Sequence, residues 1–352
     1  MAEFERVLAT SIEDWAKGLH EEQLKNRVAL AMLQKKKRLK YNVSAPQTSW
    51  TVGFKDHELT GYGDMETINF ARVVTEKKAT IDYRGYVMTD AVSEKERLMN
   101  RGKSAIVNIV EDKLDRMKAA WKRRFCGELF IDGDLAANSK RFQGIDTIMN
   151  ESGTVNGDEI GTNAGTYAGI SSVKGTYGGT STDNSPEYDF WSPVLVNTGY
   201  NTQTWATQGL ERLRTGIKHT TFGHDDKLDL ILLNRGSYID LLNLVDGSER
   251  IIASAKNATL LAMGFGDHVE IDGTPVTWDI DVPTVDEQTA ADTVQGYGFN
   301  FSAMQILFLN SEIATGRMVF DEDQLAHKFL LSTFGNCKFI SPRKFLALKT
   351  LA

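Results

Sequence analysis

Cysteine is nearly missing from this sequence: Cys126 and Cys337 are the only two in 352 residues. Their wide separation supports neither a disulfide framework nor a cysteine-based zinc site, so both read as buried thiols. No run of about 18 consecutive apolar residues occurs, which excludes a membrane-spanning helix, and the amino terminus has no apolar secretory core. The chain is therefore expected to be made and assembled in a cytoplasm without a membrane partner. A basic excess is lacking too. The 40 Lys and Arg face 47 Asp and Glu, a formal charge of −7, whereas a nucleic-acid reader normally carries a basic domain.

Signatures of chemistry are equally sparse. The six histidines, at 20, 57, 219, 224, 268 and 327, form no H-E-x-x-H pair. No serine sits in a G-x-S-x-G elbow, no G-x-x-x-x-G-K-[ST] cradle is present, and Asn234, Arg235 and Gly236 make no dinucleotide fingerprint. Asp132, Asp134 and Asn138 offer oxygens to calcium but lack the EF-hand spacing, so a helix end and turn is expected there. His224 with Asp225 and Asp226 is the most metal-like cluster, imidazole beside carboxylates, and competes with the simpler reading of a polar turn before a strand. No catalytic residue, cofactor site or metal site is assigned from these patterns.

Against these gaps stands an ordinary globular composition, 41% hydrophobic and 25% charged, in a chain long enough for about two domains. The stretch from Ala91 to Asp132 predicts one long amphipathic helix. Leu98, Ala105, Ile106, Ile109, Val110, Leu114, Met117, Trp121, Phe125 and Leu129 recur at helical steps along one stripe, Ser93 and Glu96 form a capping box, and Asp112 and Arg116 make an i, i+4 pair. Such a rod exceeds what one small core needs.

Residues 1–40 read as helical and end in a basic run, Lys35, Lys36, Lys37, Arg38 and Lys40, where cations oppose the helix dipole. From Trp50 to Val87 the period changes to two. Trp50, Val52 and Phe54 alternate on one strand, Ile81, Tyr83 and Val87 on another, with Gly61, Gly63 and Asp64 turning between them. Two strands alone bury too little surface, so this ribbon must lie against something else, and a second copy of the chain is the nearest candidate. Phe142–Met149 reads as a strand. The stretch 151–200, with Gly153, Gly157, Gly161, Gly165 and Gly169 spaced by four, reads as an irregular or β-rich surface insertion, because so many glycines would weaken a helix.

Helical periodicity returns at Trp205–Thr220. Leu228–Leu233 suits a central strand, Ser237 and Asp240 cap a helix through Leu244, and Val269–Ile280 reads as a hairpin turning at Asp272-Gly273. Strand patterns resume at Gln305–Leu309, Lys328–Phe334, Cys337–Ile340 and Phe345–Leu348. The fold class is mixed α+β, with late strands returning to pair near early ones.

This order of parts, together with Lys78-Ala79-Thr80-Ile81-Asp82-Tyr83-Arg84-Gly85-Tyr86 leading into the helix, Phe142-Gln143-Gly144-Ile145 and Ile340-Ser341-Pro342, resembles the major capsid proteins of tailed bacteriophages, the Hong Kong ninety-seven type fold. The resemblance implies an N-terminal arm at 1–45, an extended β-ribbon loop at 46–89 and a peripheral domain with a spine helix at 90–141. It further implies an axial α/β domain at 142–315 carrying the Gly-rich insertion 151–200, and returning strands at 316–352. It implies a non-enzymatic coat protein that self-assembles into hexamers and pentamers of an icosahedral shell around double-stranded DNA, located in the virion and assembled in the host cytoplasm. The packaged DNA would be enclosed without specific binding, and the other partners would be a separate scaffolding protein, a portal protein and a decoration protein. Trp50, Phe54, Tyr83, Tyr86, Trp121 and Phe125 are the candidate assembly-interface residues. Some relatives cross-link subunits through a loop lysine and an asparagine. Lys55, Lys77 and Lys78 lie in the ribbon here, but no asparagine or glutamate partner matches. An encapsulin-like compartment shell and a metal-assisted enzyme using His224 and Asp226 stay open as alternatives.

Overall fold

The computed structural model describes residues 27–67, 70–99, 113, 115–117, 119–121, 123–149, 160–161, 163–180, 185–221, 227–247 and 268–351. In chain order its elements are α1 (Val28–Lys35), β1 (Leu39–Lys40), β2 (Gln47–Gly53), β3 (Glu76–Asp82), β4 (Arg84–Ser93), α2 (Glu94–Met99), β5 (Thr166–Tyr167), β6 (Ile170–Ser171), α3 (Pro186–Asp189), β7 (Val194–Asn197), α4 (Trp205–Thr220), β8 (Leu230–Leu233), α5 (Arg235–Gly247), β9 (Val269–Ile271), β10 (Thr274–Trp278), β11 (Thr293–Phe299), β12 (Met304–Phe308), β13 (Thr315–Asp321), β14 (Ala326–Phe339) and β15 (Leu346–Thr350).

Apolar residues on both faces of a strand demand cover on both faces. The six-stranded sheet, ordered β7-β15-β11-β8-β10-β9, meets that demand. One row of its side chains, including Leu195, Leu230, Leu232, Tyr297, Phe299 and Ala347, enters the larger core. The alternate row, Val194, Val196, Ile231, Leu233, Leu346 and Leu348, joins a second core with Trp205, Leu213 and Ile217 of α4 and Leu241 of α5. Thr204 and Thr207 form the capping box of α4. The α5 helix starts earlier than expected: Asn234 accepts the Ser237 N–H at 2.9 Å, so Ser237 stands inside the first turn. Asp272 and Gly273, with φ of 51° and 79°, supply the type I′ turn between β9 and β10.

The other large sheet is built on β14, one 14-residue strand where two shorter ones were expected. Its first half lies between β13 and β4, its second half pairs with β12, and β1 joins β12 in parallel. A late strand thus returns to an early one, Arg84–Ser93. This pairing corrects the expected helix start. Ala91, Val92 and Ser93 belong to β4, and the helix begins at Glu94, where Ser93 and Glu96 exchange the two expected capping bonds at 3.2 and 3.4 Å. Helical residues within 113–127 stop at Gly127 and not at Asp132, and turns follow through 134. Met117, Trp121 and Phe125 keep the buried stripe, and Leu129 is buried beyond the helix. Residues 1–26, Ala105, Ile106, Ile109, Val110, Asp112 and Leu114 lie outside the described residues.

Two further expectations change. Phe142–Met149 is no strand: it runs irregularly and ends in the 3-10 turn Ile145–Ile148. Its apolar character reflects burial on every side. A Cβ on Gly144 would come within 2.5 Å of the Ile131 carbonyl oxygen, and the Ile145 N–H donates to the Leu129 carbonyl at 2.8 Å. Nor do the described residues of 151–200 form only a surface insertion. Tyr167 and Trp191 are buried to 1% exposure and β7 is a sheet strand, while Gly153 and Gly157 lie outside the described residues.

Candidate assembly surface

The ribbon pairs β2 with β3 in antiparallel register from Gln47↔Asp82 to Gly53↔Glu76. Its base does not wait for a second copy. The Thr80 N–H donates to the Ala168 carbonyl at 3.0 Å, Ala79 and Ile81 are buried, and Phe54 packs on Phe190 and Tyr177 at 5.8 and 6.1 Å between centroids. Lys77 Nζ lies 3.7 Å from the Tyr177 ring centroid, and Trp50 lies 6.4 Å from Trp191. The platform is the Gly-rich stretch of the same chain. Its aromatic residues, Tyr167, Tyr177, Phe190 and Trp191, are the signal that marks it as something other than decoration.

Beyond Phe54 the pairing ends and the covering ends with it. Leu59, Met65 and Phe70 are more than nine-tenths exposed, and Tyr62 and Val74 are also exposed. Gly63 N–H donates to the Glu66 carboxylate at 3.0 Å, which ties the turn locally without bringing these side chains inward. A second exposed apolar area lies on the open face of the β4–β14–β13 sheet. Val87, Val319 and Phe334 point there because the cross-strand register puts Val87 opposite Ser332, Val319 opposite Lys328 and Phe334 opposite Gly85.

The structure sorts the six sequence-derived interface residues into two groups and an outlier. Tyr86, Trp121 and Phe125 converge, with Trp121 and Phe125 stacked at 5.7 Å and Tyr86 edge-on to Phe125 at 6.4 Å. They line a groove of about 460 Å³ together with Val87, Met88, Arg124, Glu128 and Arg141. Trp121 and Phe125 are buried, so the chain's own core already covers most of their surface. Trp50 and Phe54 join the aromatic platform, where Phe54 is buried as well. Tyr83 stands apart between β3 and β4, its hydroxyl hydrogen-bonded with Thr48. Val87, expected on the ribbon, belongs to β4 instead.

A polar network fastens the groove floor. The Tyr86 hydroxyl donates to Glu128 at 2.6 Å and accepts from the Phe142 N–H at 2.7 Å; Arg141 grips Glu128 through both Nε and Nη2, at 2.8 and 2.5 Å. Arg84 donates to Asp134 at 3.1 Å and to the Gly133 and Arg141 carbonyls. Asn336, fully buried, accepts from Gln143 N–H at 2.8 Å and donates to the Asp82 carbonyl at 2.8 Å, which anchors the ribbon's end to β14. Burial pushes the Tyr86 hydroxyl above its ordinary range, with the Glu128 charge adding to it. Asp132, Asp134 and Asn138 form the expected turn, the Asp134 N–H donating to Asp132 at 2.9 Å. Cys126 and Cys337 are buried thiols, each pushed up to about 12 by burial. His224, Asp225 and Asp226 lie outside the described residues, and among the described residues no group of three or more His, Cys, Asp or Glu is placed to hold a metal ion.

No protein-family model matches the chain, and no curated protein sequence matches it. Solved structures match over nearly its whole length. The cyanophage A-1(L) capsid aligns with a TM-score of 0.56 at 17% identity over 86% of this chain and 86% of that one. The capsid of a native GTA particle aligns with a TM-score of 0.55 at 13% identity over 91% and 90%. The mature capsid of bacteriophage PhiM1 aligns with a TM-score of 0.52 at 11% identity over 89% and 85%. The chain therefore has the mixed α+β fold of phage capsid subunits, the Hong Kong ninety-seven type.

Proposed function

We propose that the chain is the major capsid protein of a tailed bacteriophage, a structural and non-enzymatic subunit that assembles into hexamers and pentamers of an icosahedral shell. The observation that carries this reading beyond fold is the ribbon tip. Leu59, Met65 and Phe70 stand almost fully in solvent on a chain whose other ribbon end is packed on its own aromatic platform. Large apolar side chains left exposed beyond the paired strands suit an interaction surface, and repeated heterologous contacts that close into rings would cover them in every copy.

The shell would enclose double-stranded DNA without binding it specifically, since the formal charge of −7 gives little purchase on phosphates. Its place is the virion, assembled in the host cytoplasm with a separate scaffolding protein and a portal, and open to a decoration protein. In this reading the ribbon is the extended loop, β4, β13, β14 and the helical residues within 113–127 belong to the peripheral domain, and the six-stranded sheet with α4 and α5 is the axial domain. Negative-stain microscopy of the full chain co-expressed with a candidate scaffold tests it. Closed isometric shells are expected; monomers or dimers under every assembly condition would sink the proposal.

A further inference from the structure

Lys349 occupies an unusual position for a lysine. It lies on β15 between β7 and β11, opposite Asn197 and Val294, and its side chain has no solvent exposure. Its Nζ is 2.5 Å from Asp286 Oδ2 and 2.8 Å from Asp146 Oδ1, and those two carboxyl side chains are 0% and 2% exposed. Asp286 is held from its other side, with Oδ1 accepting the Gln288 N–H at 2.8 Å. Asp146 Oδ1 also accepts from the buried Tyr297 hydroxyl at 3.0 Å. Two acids around one amine leave the charges unbalanced if all three are ionised, and burial away from solvent penalises charged forms relative to a neutral amine beside a neutral acid. Burial pushes the Asp146 carboxyl up to about 7, against the opposing pull of Lys349, so it can take up and release a proton near neutrality.

We propose that Lys349 and Asp286 join in an intrachain amide bond, with Asp146 carrying the protons. The Lys349 ammonium first gives a proton to Asp286 Oδ2, which sets a neutral amine against a neutral acid. The nitrogen lone pair adds to Asp286 Cγ while the Gln288 N–H stabilises the charge developing on Oδ1. Protonated Asp146 gives its proton to the Oδ2 hydroxyl and takes one from the nitrogen. The Cγ–Oδ2 bond breaks and water leaves. One ammonium and one carboxylate become one amide and one water, Asp146 ends as it began, and no oxidant or cofactor is required.

The bond would span 63 residues and fasten the last strand, an interior strand of the six-stranded sheet, to the loop between β10 and β11. It lies within one subunit, unlike a cross-link between neighbouring copies through ribbon lysines, and its test is independent of assembly. Intact-mass spectrometry of the purified, denatured full-length chain is expected to give a mass lower than the sequence mass by one water, with Lys349 and Asp286 recovered in one branched proteolytic fragment. Asp146→Asn, which keeps an acceptor for the Tyr297 hydroxyl, and Lys349→Met are each expected at full mass. A wild-type chain at full sequence mass, or a water deficit mapped to other residues, would overturn the bond. An Asp146→Asn chain that links as completely as wild type would overturn the proton-carrying role.

Discussion

At its base the ribbon of β2 and β3 buries Ala79, Ile81 and Phe54 against its own chain, whereas at its tip Leu59, Met65 and Phe70 stand in solvent. The apolar residues are of similar kind at the two ends; what differs is the surface supplied beneath them. The base has Tyr177, Phe190 and Trp191 under it, and among the described residues nothing covers Leu59, Met65 and Phe70 at the tip. A side chain that folding covers stabilises the monomer, and one that folding leaves bare is available for association. Substitutions along the ribbon should therefore change from folding effects to assembly effects as they move outward.

The largest folding effect is expected from Ile81→Glu, which puts an unpaired carboxylate into the base and should cost more than about 4 kcal/mol in denaturant unfolding. A chain that tolerated it would show that the base is not seated on the platform. Phe54→Ala, at the last covered position, should lose about 3–5 kcal/mol by emptying the space against Phe190 and Tyr177. Lys77→Ala removes the ammonium over Tyr177, and a shift of about 1 kcal/mol is expected from the same unfolding curves. At the tip, Leu59→Ser, Met65→Ser and Phe70→Ser should each leave monomer stability within about 0.5 kcal/mol of wild type. A large loss there would erase the distinction between the two ends.

The parts of this architecture legible in the sequence are those set by local chemistry. The Ser93–Glu96 capping box, the Asp272-Gly273 turn, the α4 helix and the period-two strands of the ribbon base all depend on residues close in sequence. Non-local effects were hidden. Ala91–Ser93 continue a strand because β14 is there to pair with them, although the helix pattern follows immediately. Phe142–Met149 looks like a strand because every residue is buried, but its backbone hydrogen bonds go to Tyr86, Asn336, Leu129 and its own turn. The composition of the Gly-rich stretch reads as peripheral, and its role as the ribbon's platform rests on Tyr177, Phe190 and Trp191, large side chains among many small ones. Of the interface candidates, Trp50, Phe54, Trp121 and Phe125 stand out in the sequence by periodicity, which is the property of residues that pack in the chain's own core. The exposed tip residues follow no period, so a search for stripes passes over them.

Sedimentation velocity of the triple variant Leu59→Ser, Met65→Ser, Phe70→Ser beside the wild-type chain, both expressed with the same scaffold and matched in thermal midpoint, tests the central claim most directly. Particles from the wild type and a slowly sedimenting, folded monomer from the variant are expected. Particles of the same size and yield from both would contradict the assignment of the ribbon tip as the surface through which subunits assemble.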